Sequence, residues 1–190
     1  ARSRSGASWG WCATALPGVA VRTVRTAPHW GAGSGRPIAV GGTGRGRWTA
    51  RPGSVDDVPP VDVVLLSHAH MDHWDKVSLE RLAGPGVTAV IPRKTRALLP
   101  GRGRGFANVI EMDWDQDEAL NGLGVRALRC KHWGARYLFD VHRGYNAYVL
   151  EDDQRRIVFA ADTAETDAFD ALSDVDVAVM GIGNYYVPWD

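Results

Sequence analysis

Thirteen residues, Val61 to His73 (VDVVLLSHAHMDH), restrict this chain more than any others. They open with a run, 61–66, that is apolar apart from Asp62 and reads as a strand buried on both faces. They close with three histidines and an aspartate inside six positions: His68, His70, Asp72 and His73. In extended backbone, side chains at i and i+2 point the same way, so His68 and His70 can grip one cation together. The chain then turns, and Asp72 and His73 can face a second cation beside the first. Imidazole and carboxylate are the ligands expected for zinc, with iron or manganese also suited to them. The plain alternative is a polar loop with incidental histidines. Chance would produce this spacing in roughly one chain in a few thousand of this composition, which favours metal binding.

The surrounding pattern is an α/β alternation with hairpins. Asp75 is placed to N-cap a short helix through Leu82, ended by Gly84-Pro85-Gly86. Strands are expected over 87–91, 108–112, 125–130, 145–150, 156–161 and 175–182, with a basic helix over 93–99 and a short helix over 166–172. Residues 151–154 (EDDQ) form a hairpin turn and 101–105 (GRGRG) a loop. Two further site candidates follow strands directly: His132, after 125–130, and Asp162, after 157–161, whose carboxylate could bridge two metals. Asp162 read alone also suits an N-cap or turn. Cys130, two residues before His132, reads as a buried structural cysteine.

Charge divides the chain near Gly53. Residues 1–53 carry eight arginines and no Lys, Asp or Glu, giving +8; the remainder sets 14 basic against 22 acidic residues, giving −8. The first segment holds 11 of the 22 glycines and shows no sustained hydrophobic period, with only 18–24 and 38–40 hinting at strands. It is expected to be a disordered arginine-rich arm or the product of a frameshifted reading, with the folded domain occupying 54–190. Basic arms can bind nucleic acid or anionic polymers by charge. No aromatic-interleaved signature accompanies this one, so nucleic acid is not the expected partner. Two distant cysteines, Cys12 and Cys130, form no disulfide framework and fit a reducing, cytoplasmic setting. No apolar run reaches the ~18 residues of a membrane span, which leaves room only for peripheral membrane association.

The order of these segments resembles the metallo-β-lactamase superfamily, and within it the branch containing N-acyl-phosphatidylethanolamine phospholipase D and ascorbate-6-phosphate lactonase-like proteins. The resemblance is carried by 55–75 (VDDVPPVDVVLLSHAHMDHWD), 131–140 (KHWGARYLFD), 157–169 (IVFAADTAETDAF) and 177–186 (VAVMGIGNYY). It implies an αββα sandwich with metals at one edge. It further implies His68, His70 and His132 on a first metal, Asp72 and His73 on a second, and Asp162 bridging. Asp72 would orient the hydroxide; Trp133 and Arg136 would lie at the mouth, with Arg136 meeting an anionic substrate group. The implied activity is metal-dependent hydrolysis of a phosphodiester, lactone or lipid-like ester. An inactive fragment or a superfamily nuclease is the alternative. The family's opening hairpin motifs have no counterpart in 1–53, and no histidine follows His142 to supply its seventh ligand. His142 lies before Asp162 in a hairpin region and is a poor substitute. The sandwich is therefore expected to be incomplete at both ends and to hold one metal firmly.

Overall fold

A computed structural model describes residues 61–181 except Asp72, Asn121, Leu138 and Val141, together with the strand backbone at 13–16 and 19–22. Its first sheet runs β1 (Ala13–Leu16), β2 (Val19–Arg22), β3 (Val63–Leu65), β4 (Thr88–Pro92) and β5 (Asn108–Met112) in that order. The hairpin β1–β2 is antiparallel, and β2, β3, β4 and β5 are parallel to one another. The second sheet has the order β10 (Val177–Met180), β9 (Arg156–Ala161), β8 (Ala147–Glu151), β7 (Leu123–Leu128) and β6 (Asp117–Leu120). It is antiparallel except for the pair β9–β10. The strand hinted at over 18–24 corresponds to β2; 38–40 lies outside the described residues.

Alternation along the strands builds the layers. Val63, Leu65, Val90 and Met112 of the first sheet pack against Leu123, Val125, Ala127, Tyr148, Leu150 and Ile157 of the second. The intervening residues Val64, Leu66, Ala89 and Ile91 face the other way, onto Trp74, Leu79 and Leu82. β3 is thus apolar at every position because both its faces are covered. Its outer cover is α1 (Lys76–Leu82), whose N-cap Asp75 accepts hydrogen bonds from the Ser78 amide at 2.9 Å and the Ser78 hydroxyl at 2.7 Å. On the far face of the second sheet, Leu128, Ala147, Val149 and Val158 meet Phe169, Leu172 and Val175.

Several expected elements take a different form. The basic helix over 93–99 is replaced by a turn and a single 3-10 turn, Arg96–Leu98. Lys94 stands at φ +59°, which a right-handed helix does not admit, and Glu111 on β5 accepts from the amides of Thr95 and Arg96 at 3.0 and 2.8 Å, which holds the chain against the sheet edge. The loop expected at 101–105 begins inside another 3-10 element, Pro100–Gly103. The helix over 166–172 is a set of turns closed by i→i+3 bonds from Asp170 to Asp167 and from Leu172 to Phe169. The Thr166 hydroxyl accepts from the Ala168 amide there at 3.2 Å. β6 has no signature in the sequence pattern, because DEAL is polar and mostly exposed. It pairs with β7 as an edge, helped by the Arg126–Asp117 ion pair at 2.7 Å, which also raises the arginine's pKa through that hydrogen bond and charge.

The two sheets are joined at the end of β3 by hydrogen bonds as well as by apolar packing. The Tyr148 hydroxyl donates to the Leu66 carbonyl at 2.8 Å, and the Asn146 amide donates to the Ser67 carbonyl at 2.8 Å. The Asn146 side-chain amide reaches the Met112 carbonyl and the Tyr148 hydroxyl oxygen, each at 3.2 Å. Burial of Tyr148 pushes its pKa upward, so its hydroxyl keeps the proton that it donates.

Two variants on α1 test the layering: Leu79→Ala should cost about 2–5 kcal/mol in urea unfolding, while Val77→Ala, at a position 59% exposed, should stay within about 0.5 kcal/mol. Tyr148→Phe removes a buried donor without changing shape and should cost about 1–3 kcal/mol by the same measurement.

Candidate metal centre

β3 ends at Leu65, and the chain runs on through a buried Ser67 and His68 before turning. The turn is closed by the His73 and Trp74 amides, which donate to the His70 carbonyl at 3.1 and 2.9 Å. Trp74 is fully buried, and its indole N–H donates to the Leu98 carbonyl at 3.3 Å, which anchors the far end of the loop. His132 comes from the segment after β7. Gly134 lets that segment lie against 143–145: a Cβ there would sit 2.3 Å from the Arg143 carbonyl oxygen and 2.9 Å from the Tyr145 ring. Asp162 comes from the end of β9. The residue before it, Ala161, has φ +57°, and the β9–β10 register shifts at Val179/Met180, opposite this point. A left-handed conformation at alanine costs on the order of 1–3 kcal/mol, a strain that accompanies functional sites. Here it redirects the chain as the strand ends.

These three segments bring four imidazoles and one carboxylate together. The His68 ring lies 4.5 Å from His70, 4.2 Å from His73 and 4.4 Å from His132, centroid to centroid. His70 Nδ1 and His132 Nε2 are 3.2 Å apart, and His73 Nε2 is 3.0 Å from Asp162 Oδ2. Two trios have donor atoms all within 4.8 Å of one another: His68, His70 and His132, and His68, His73 and Asp162. His68 belongs to both. The Ser67 hydroxyl is 3.0 Å from His68 Nδ1, in place to orient that ring. A set of imidazoles with one carboxylate is the donor chemistry of a divalent transition-metal site, so the residues present fit such an ion.

The remaining candidates fall as follows. Asp72 lies outside the described residues. Trp133 is 47% exposed, with its ring 6.0 Å from that of His70, at the open side of the cluster. Arg136 is half-buried and turned toward the protein: its Nη1 donates to the Ala69 carbonyl at 3.0 Å and the Trp74 carbonyl at 3.2 Å. His142 is exposed and belongs to neither trio. Cys130 is buried, and desolvation pushes its thiol pKa up to about 11; its sulfur lies 3.9 Å from the Asp162 carbonyl oxygen, to which it can donate. It is a protonated packing residue beside the site. Sequence reasoning missed the support provided by Tyr148, Asn146 and Ser67. Tyr148 and Asn146 sit in an apolar strand context that gives no polar signal. Only Ser67, adjacent to His68, could have been picked out.

Beside His132 lies an open cavity of about 700 Å³ lined by Arg129, Lys131, Tyr145, Glu165 and Asp167 among others. Its walls carry both signs of charge.

Comparison with known proteins agrees with the geometry. The family model described as "Beta-lactamase superfamily domain" matches residues 38–189, so the match begins upstream of residue 54. An uncharacterized protein of Mycobacterium tuberculosis is 27% identical over 98% of this chain and 51% of its own length. The N-acyl-phosphatidylethanolamine-hydrolyzing phospholipase D 1 of Caenorhabditis elegans is 27% identical over 96% of this chain and 55% of its own. The chain spans about half the length of these curated relatives. Among solved structures, a possible metal-dependent hydrolase from Veillonella parvula superposes with a TM-score of 0.58 at 17% identity, covering 83% of this chain and 62% of that one. A putative metal-dependent hydrolase from Parabacteroides distasonis gives 0.55 at 13% identity, covering 85% and 61%. Two facing sheets, a histidine cluster at the end of a buried strand and a family match over most of the length lead to one assignment: the chain belongs to the metallo-β-lactamase superfamily.

Proposed function

We propose that this chain is the metal-binding part of a hydrolase that cleaves a phosphodiester in a phospholipid-like substrate, with a lactone or related ester as the other candidate class. The observation that carries the reading is the convergence of His68, His70, His73, His132 and Asp162 from three separate segments, with His68 shared by both trios. In this reading His68, His70 and His132 hold one zinc ion firmly. His73 and Asp162, joined by Asp72 from its place in the motif, form a weaker second position. When bound, such a cation supplies Lewis-acid stabilisation of developing negative charge and lowers the pKa of water toward neutrality.

The chain's own residues do the rest. Ser67 fixes the His68 ring, so that the nitrogen away from the hydroxyl faces the ion. The Asp162 carboxylate stands 3.0 Å from His73 Nε2, so the two side chains would hold the second position together. Asp72 orients the attacking water and takes its proton. Support for a lipid-like substrate comes from large apolar side chains beside the donors. Met71 follows His70 and is 49% exposed; Trp133 follows His132, and Tyr137 and Phe139 further along that segment are 60% and 93% exposed. Such side chains suit contact with an apolar ester tail or a lipid surface. The curated phospholipase D relatives of C. elegans and Saccharomyces cerevisiae point to the same substrate class. Among the described residues no helix is long and apolar enough to cross a membrane.

The test combines metal content with turnover. The purified chain should carry about one zinc. Zinc at 100 times its Kd should add about 2.7 kcal/mol of stability, lost again with a chelator. A chromogenic phosphodiester should be hydrolysed faster than a simple lactone. His68→Ala/His70→Ala should remove the metal and reduce turnover at least about 100-fold. A chain that neither binds zinc nor is stabilised by it would end this reading; lactone turnover in excess of phosphodiester turnover would shift the substrate class.

A further inference from the structure

Arg136 has a geometry that its expected place at the substrate mouth does not explain. One guanidinium nitrogen, Nη1, donates to two carbonyls, Ala69 at 3.0 Å and Trp74 at 3.2 Å. These two residues bracket the loop that carries His70 and His73, and both are fully buried. Ala69 precedes His70 directly, and Trp74 follows His73 directly. Arg136 itself stands four residues after His132, on the segment locked in place by Gly134 against the Arg143 carbonyl and by buried Ala135. One cationic side chain therefore ties the loop bearing two donors to the segment bearing a third.

The geometry points to Arg136 as a positioning residue that sets the spacing between His70 and His132, and so the affinity of the site for its metal. The inference rests on the metal-site reading above. The physical reason is the distance to be controlled. His70 Nδ1 and His132 Nε2 stand 3.2 Å apart, yet they belong to residues 62 positions apart on segments of different sheets. Hydrogen bonds from a guanidinium to carbonyl oxygens are charge-assisted and directional, and the planar fork loses little freedom in forming them. A lysine on the same stem offers a point charge that cannot reproduce that fixed direction. Removing partners that orient metal ligands typically weakens metal binding by about 10–100-fold.

The experiment is a zinc titration of the full chain against a chromogenic chelator, with parent, Arg136→Met, Arg136→Lys and Arg136→Ala in parallel. Cobalt(II) absorption spectra report the ligand geometry. Arg136→Met should bind zinc at least about 10-fold more weakly, and Arg136→Lys should fall between it and the parent. Millimolar guanidinium should restore affinity to Arg136→Ala without affecting the parent. A role confined to general stability would lower the unfolding midpoint of the metal-free chain but would not give guanidinium rescue of zinc affinity or a changed cobalt spectrum. The inference is overturned if all three variants bind zinc within about threefold of the parent, with KM for substrate the only quantity changed. If Arg136→Met does not fold, Arg136→Lys decides by the same threefold limit. Failure of the parent itself to bind zinc would instead remove the metal-site reading, so the two failures are distinct.

Discussion

At the end of β3 the backbone of the first sheet is held by the second. The Leu66 carbonyl receives the Tyr148 hydroxyl and the Ser67 carbonyl receives the Asn146 amide, both at 2.8 Å and both buried. Beyond these bonds and the one from the Asn146 side chain to the Met112 carbonyl, the sheets meet largely through apolar side chains, whose packing is strong but weakly directional. Directional bonds at the end of β3 fix where the chain stands when it leaves the core. The next residue is His68, which both donor trios require. An uncertainty of 1 Å in that strand end would be passed to every metal–ligand distance, where the tolerance is only about 0.2 Å.

The remaining donors arrive by the same strategy, from strand ends whose direction is set by a local device. The 70–74 turn is closed on the His70 carbonyl and anchored by Trp74. The His132 segment is seated by Gly134, and Asp162 follows an alanine held at positive φ. The scaffold's outer layers differ in regularity. α1 covers the first sheet as a capped helix, whereas turns with Phe169 and Leu172 cover the second. Both remove apolar surface from water, and that is what the sheet faces require.

The family resemblance and the site support each other without fixing a reaction. A shared scaffold can carry different chemistry, decided by donor identity and by what surrounds the centre. In this chain the surroundings are aromatic and apolar along the segments that bear His70 and His132, with a cavity of mixed charge beside His132.

How much was legible beforehand differs by level. The continuous apolar run 61–66 announced a strand covered on both faces, and H-x-H-x-D-H announced a cluster of candidate cation ligands, because both signals are local: each depends on residues within one or two turns of chain. β5 and β9, the Asp75 cap and the α1 boundary were readable for the same reason. The helices expected over 93–99 and 166–172 did not form: Lys94 stands at φ +59°, and residues 167–172 close only i→i+3 turns. The bonds from the Thr95 and Arg96 amides to Glu111 become visible only once β5 lies beside residue 95. His132 and Asp162 could be nominated from their positions after strands, but their 3 Å approaches to His70 and His73 exist only through the stacking of two sheets. Arg136 shows the limit most clearly. The resemblance suggested an anion outside the protein; the bonds from its Nη1 to two carbonyls could not be read beforehand, because backbone acceptors carry no mark in sequence. The chain thus specified its donors and the strand that delivers them by side-chain chemistry alone. The tertiary structure decided which donors meet and what holds them, since those distances are set by packing between segments remote in sequence.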